Sequence, residues 1–94
     1  MGGRGATSSG NAKIYNDFLN NTNVVNELRR NVLAQESENP NARVGDTSLD
    51  SDRIISNYAD KLSTAEYSKF NWETAEDKLF EKLRKIERQY GFRK

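Results

Sequence analysis

Apolar side chains recur along most of the chain at three- and four-residue intervals, and no stretch alternates with the two-residue period of a strand. Ile14, Phe18, Val25, Leu28 and Val32 fall on one helical face within residues 11–34, and Leu19, Val24 and Leu33 widen it. The run Asn20-Asn21-Thr22-Asn23 interrupts this stripe. Asparagine competes for backbone hydrogen bonds and favours helix caps over interiors. The segment is expected to form either two helices, with Thr22 or Asn23 capping the second, or one long helix with a weak middle. Residues 35–50 hold the single proline, Pro40, a Gly45-Asp46 pair and several turn formers, and they read as a loop.

Asp50 or Ser51 can cap the next helix, which carries Ile54, Ile55, Tyr58 and Leu62. Ser63-Thr64-Ala65-Glu66 has the spacing of a capping box. It predicts that a helix restarts at Ser63, with Tyr67 and Phe70 on its apolar side, before a further interruption at Asn71. Beyond that point Trp72, Ala75, Leu79, Leu83, Ile86 and Tyr90 form the strongest stripe in the chain, widened by Phe80. Acidic residues open this last helix (Glu73, Glu76, Asp77) and basic ones close it, as the helix dipole favours. Gly91 suits the position just past its end.

The fold these elements predict is all-α: a helical hairpin or a small three- to four-helix bundle over residues 11–94. Residues 1–10 are rich in Gly and Ser and read as a disordered, flexible leader. Phe18, Tyr58, Tyr67, Phe70, Trp72 and Phe80 are the expected core formers. Composition makes that core lean. Only 34 % of the 94 residues are hydrophobic, and the mean hydropathy is −0.96. A protein partner, a second copy making a homodimer along the Trp72 stripe, or a nucleic acid could each complete the burial. Ordinary intramolecular core is the simpler reading of that stripe, whose period is nearer 3.6 than a strict heptad.

Charge and chemistry narrow the functional classes. The chain has no cysteine and no histidine, so disulfides, thiolate metal sites and imidazole acid–base chemistry have no residues to build on. Its serines have no histidine to activate them, and the expectation is a non-enzyme that needs no cofactor and no metal. No run approaches the ~18 apolar residues of a membrane span. The net charge of +1 conceals a sequence dipole, acidic from residue 35 to residue 81 and basic beyond. Lys82, Arg84, Lys85, Arg88, Arg93 and Lys94 are the candidate nucleic-acid contacts, weighed against a solvated helix end. Asp46, Asp50 and Asp52 are candidate contacts for a basic partner, because their loop lacks the glycine and terminal glutamate of a calcium loop. Tyr67, Trp72 and Tyr90 are of the residue types that anchor protein interfaces.

The opening Met-Gly-Gly-Arg-Gly-Ala-Thr-Ser-Ser-Gly resembles the leader of various small proteins encoded by bacteriophages and prophages of Gram-positive bacteria, some of them near head-assembly genes. The resemblance covers the first ten residues only and transfers no functional residue. It implies a phage-encoded protein acting in the bacterial host cytoplasm or in the virion. Small phage proteins without catalytic residues are often binding proteins. The expectation is therefore an interaction protein that docks on a larger partner. It would be an inhibitor of a host or defence enzyme, of the anti-CRISPR kind, or a virion or assembly component. A nucleic-acid-binding protein is the alternative.

Overall fold

A computed structural model describes residues 12–93; the leader, residues 1–10, and Lys94 lie outside the described residues. Every regular element among the described residues is a helix. We label them α1 (residues 12–19), α2 (Thr22–Glu38), α3 (Ser51–Ala59), α4 (Thr64–Lys69) and α5 (Trp72–Gln89).

Caps chosen by the sequence set most of these boundaries. The asparagine run does break the first stripe, but the cap is Asn21 rather than Thr22 or Asn23. Its side-chain oxygen accepts from the N–H groups of Asn23 and Val24, which leaves Thr22 as the first helical residue. Asp50 accepts from Arg53 N–H, Ser63 and Glu66 form the full capping box, and Asn71 accepts from Thr74 N–H. The expected loop at 35–50 starts too early. α2 continues through Glu38, because Gln35, Glu36 and Glu38 sustain a helix and only Pro40 disfavours helical geometry at Asn39. α5 ends on Gly91 at φ +86°, with Gly91 N–H donating to the Arg88 carbonyl and Phe92 N–H to the Glu87 carbonyl, the paired bonds of a Schellman motif.

α5 is the central element and packs against both α2 and α3. α2 and α5 run in the same direction: an isolated parallel bridge just beyond their ends pairs Arg43 with Arg93. α3 runs antiparallel to both and packs mainly on α5. Its first residue, Ser51, hydrogen-bonds to Glu76 on α5 at 3.0 Å, and Arg53 reaches Glu27 on α2 at 2.6 Å. The core is formed by Val24, Leu28 and Val32 of α2, Ile54 and Ile55 of α3, and Ala75, Leu79, Leu83 and Ile86 of α5. Four aromatic rings close the other end. Phe18 lies edge-on to Tyr58 (centroids 4.9 Å) and to Phe70 (5.7 Å), and Tyr15 stands 5.7 Å from Phe70. The Tyr15 hydroxyl also accepts from Asn71 N–H at 2.9 Å, which ties α1 to the start of α5.

The expected core needs correction at two positions. Tyr67 and Trp72 are 54 % and 38 % exposed, and Tyr58 and Phe80 are only partly buried, whereas Tyr15, not among the expected core formers, is buried. The cause is α4. It is one and a half turns long, buries none of its residues, and delivers only Phe70, just beyond its end, to the core.

The connection from α2 to α3 has no regular structure, yet every backbone N–H from Asn41 to Thr47 finds an acceptor. Asn39, Arg43 and Asp46 serve locally, the Arg93 carbonyl takes Val44 N–H, and the Glu87 carboxylate takes Gly45 N–H at 3.1 Å and Thr47 N–H at 3.4 Å. Glu87 is 0 % exposed and carries one more bond, from the Arg84 guanidinium at 3.2 Å. Replacing Glu87 with Gln should cost about 1–3 kcal/mol, because an amide NH2 would then face a buried N–H. Glu87→Ala should cost at least as much, and the loop amides of Gly45 and Thr47 should lose hydrogen-exchange protection before the helices do. Urea unfolding and amide exchange check both.

Candidate functional site

Three surfaces qualify, and the first is the α4–α5 corner. The capping box closes the start of α4, a short exposed helix, and Tyr67 is exposed on it. Trp72 follows as the first residue of α5, with Asn71 capping beside it. Two of the three aromatic residues anticipated as interface anchors therefore sit within six residues of each other on the exterior. The third, Tyr90, lies at the opposite end of α5 and is 37 % exposed. It lines a pocket of about 280 Å³ with Glu36, Asn39, Pro40, Phe92 and Arg93.

The acidic candidates do not form one site. Asp46 accepts from Arg43 N–H at 2.8 Å and stabilises the loop from within. Asp50 is spent on the α3 cap and stands 3.5 Å from the Arg53 guanidinium. Asp52 is exposed in the first turn of α3. Among the described residues no group of three or more acidic side chains could hold a metal ion.

The basic candidates divide likewise. Arg84 is committed to Glu87 and lies over the Phe80 ring at 5.6 Å. Lys82 is half-buried, and Lys85 and Arg88 are exposed. Arg93 is exposed and is brought beside Arg43 by the parallel bridge, a pairing across fifty positions of sequence. Basic side chains thus gather at the end where the parallel α2 and α5 both place the negative ends of their dipoles, which a positive charge complements.

The third surface has no counterpart in the sequence pattern. A groove of about 530 Å³ lies between α2 and α3. Val24, Ile54 and Tyr58 line its apolar part, and Asn23, Asn26 and Asn57 carry the side-chain amides around them. None of those three amides is engaged by another described residue. Arg30 and Arg53 enter the groove together because both bind Glu27, at 3.1 and 2.6 Å. That ion pair raises the pKa of Arg53, first through the hydrogen bond to Glu27 and then through its charge. The groove's asparagines lie off the apolar stripes of α2 and α3, so they carry no periodicity to detect.

No family model, curated protein or solved structure matches the chain, so these surfaces stand on their own geometry. Among the described residues, no helix is long and apolar enough to cross a membrane.

Tyr58, where the groove meets the aromatic cluster, has its pKa raised, mainly by burial and further by the charges of Asp17 and Glu66, against a smaller opposing effect of Lys13. A raised phenol pKa means that folding favours the neutral form. That contribution is complete below the unfolded value of about 10 and is lost as pH rises through the folded one. The stability of the chain should therefore fall above about pH 10, and Tyr58→Phe should flatten that fall. Urea midpoints followed across the alkaline range test this; parallel curves for the two proteins would refute it.

Proposed function

We propose that the chain is a non-enzymatic interaction protein of phage origin that docks on a larger protein through the α4–α5 corner. The observation that carries this reading is α4 itself. A helix that buries none of its own residues, yet is closed by a complete capping box, contributes little to the core. It presents Tyr67 and, just past its end, Trp72. Rigid, part-exposed aromatics are the side chains that dominate protein interfaces, since they bury large area at small entropic cost. The leader's resemblance to phage proteins supports the setting, in which the partner is a host or defence enzyme, inhibited in the anti-CRISPR manner, or a virion component.

The test is affinity capture with the tagged full chain from infected host lysate and from purified particles, followed by measured affinities for the enriched protein. Trp72→Ala and Tyr67→Ala should each weaken that binding by about 2 kcal/mol, roughly 30-fold in Kd, with little change in thermal unfolding. Enrichment of nothing, or binding indifferent to both substitutions, would count against the proposal. Enrichment from particles alone would favour the virion component over the inhibitor.

One observation favours a second reading, nucleic-acid binding at the basic end: the bridge that sets Arg43 beside Arg93, with Arg88 and Lys85 on the same end of α5. Replacing Lys85, Arg88 and Arg93 with Gln tests it without disturbing Arg84, which supports Glu87. A low-salt gel shift that these changes abolish, with steep salt dependence, is the expected result; no complex at low salt excludes it.

A further inference from the structure

We infer that the face formed by α2 and α5 on the side away from α3 binds the phosphate backbone of a nucleic-acid duplex. This deepens the nucleic-acid reading and rests on it: it names the duplex form and moves the contact from the end of α5 to its side. α3 meets α5 at Glu76, and the α2–α3 loop meets α5 at Glu87. At about 100° of rotation per residue, Lys78, Lys82, Lys85 and Gln89 run along the opposite flank of α5. α3 meets α2 at Glu27, which binds Arg53, and Arg29 and Leu33 lie on the opposite flank of α2. Because α2 and α5 pack against each other, these two flanks form one face. The pocket that joins Glu36 to Tyr90 fixes their register. Arg29, about two turns before Glu36, is then level with the stretch of α5 between Lys82 and Lys85.

Charge on this face is one-sided and uncommitted. Arg29 and Lys85 are exposed, and Lys78 and Lys82 are half-buried. The ion pairs among the described residues use Lys13, Arg30, Arg53 and Arg84, and none of these four. Lys78 lies 6.0 Å from the centre of the Tyr15 ring, which leaves its charge uncancelled. Two carboxylates border the face, Glu36 at the end nearest Tyr90 and Glu81 on the outer ridge of α5.

Lysine in this abundance, with Leu33 as the exposed large apolar residue, is unlike the centre of a protein interface, where lysine is depleted. A bilayer would find no apolar strip to take up. A row of ammonium groups instead matches evenly spaced phosphates as point charges. Lys78 to Gln89 is about 17 Å of helix, which spans about five base-pair steps of 3.4 Å. Among the described residues no exposed ring stands in this row, and Tyr15 beneath Lys78 is buried. Binders of single strands rely on aromatic stacking, so the row suits a duplex, gripped by its backbone without regard to sequence.

Fluorescence anisotropy of the full chain with labelled DNA duplexes of about 12 base pairs at low salt tests this. Two unrelated sequences should bind within about two-fold of each other, and both more tightly than their single strands. Arg29→Gln combined with Lys78→Gln should weaken binding about ten-fold and lower the slope of log K against log salt by about 2. Glu36→Gln combined with Glu81→Gln should tighten binding about three-fold, a gain that damage to the fold would not produce. Arg88→Gln combined with Arg93→Gln, at the end of α5, should weaken it less than the Arg29 and Lys78 changes do. If no duplex binds the unaltered chain, the nucleic-acid reading and this inference fall together. If the Arg88 and Arg93 changes remove binding while the Arg29 and Lys78 changes do not, that reading stands and this face is overturned. Tighter binding of single strands, or polyglutamate displacing the duplex as well as unlabelled duplex does, would also overturn it.

Discussion

The architecture depends on one buried carboxylate. Glu87 lies in the last turn of α5, where the helix dipole disfavours a negative charge, and it has no exposure to water. A carboxylate survives there only if its desolvation is repaid by hydrogen bonds. The repayment comes from Arg84, one turn back, and from the Gly45 and Thr47 amides of the α2–α3 loop. The dependence is mutual. A connection without regular structure carries backbone donors that must find acceptors, and Glu87 supplies two of them from another element. Gly45 can accept this arrangement because its φ of +103° lies where side-chain-bearing residues are strained.

From that clasp the rest of the topology follows. Holding residues 45–47 against the end of α5 sends the chain back along α5 and sets Ser51 against Glu76, so α3 is antiparallel to the two longer helices. α2 and α5 are then parallel neighbours, with their negative dipole ends at the same end of the bundle. Arg43, Arg88 and Arg93 gather at that end, so the basic terminus of the sequence complements two helices rather than one.

What the amino-acid pattern disclosed was local. Apolar spacing at three and four residues located all the described helices, and side chains that satisfy helix N–H groups, Asp50, Ser63 and Asn71, placed three of their starts to within a residue. The misplacements were also local in origin. Two asparagines and a threonine compete for one cap before α2, and Asn21 wins by position alone. Pro40, not the polar composition of residues 35–38, ends that helix. The core was less legible, because an apolar stripe does not say whether its helix is long enough to reach the interior. Tyr67 has the right spacing on a helix too short and too peripheral to bury it. The sites were least legible. Glu87 is the one acid in the basic end of the sequence, and two of its partners lie some forty residues away. Arg84 looked free for a phosphate and is paired. The α2–α3 groove lies between two helices whose relative placement no local pattern encodes.

The lean composition left open whether something outside the chain completes the core. The packing argues otherwise. The stripes of α2, α3 and α5 cover one another, and the aromatic cluster of Tyr15, Phe18, Tyr58 and Phe70 closes the remaining end. Leu33, Tyr67, Trp72 and Tyr90 are the large apolar residues left exposed among the described residues. A partner is therefore not required for these stripes to find cover, and hydropathy alone is no argument for one. The case for docking rests on where the exposed groups stand. Two aromatics are carried on and beside a capped helix that serves the core little, and three unengaged amides flank a groove beside guanidiniums fixed by Glu27. Local contacts, the capping box and the Glu27 ion pairs, tie these groups to their own elements. Contacts that restrict a surface before binding lower the entropic cost of binding, which suits a small protein with little surface to spend.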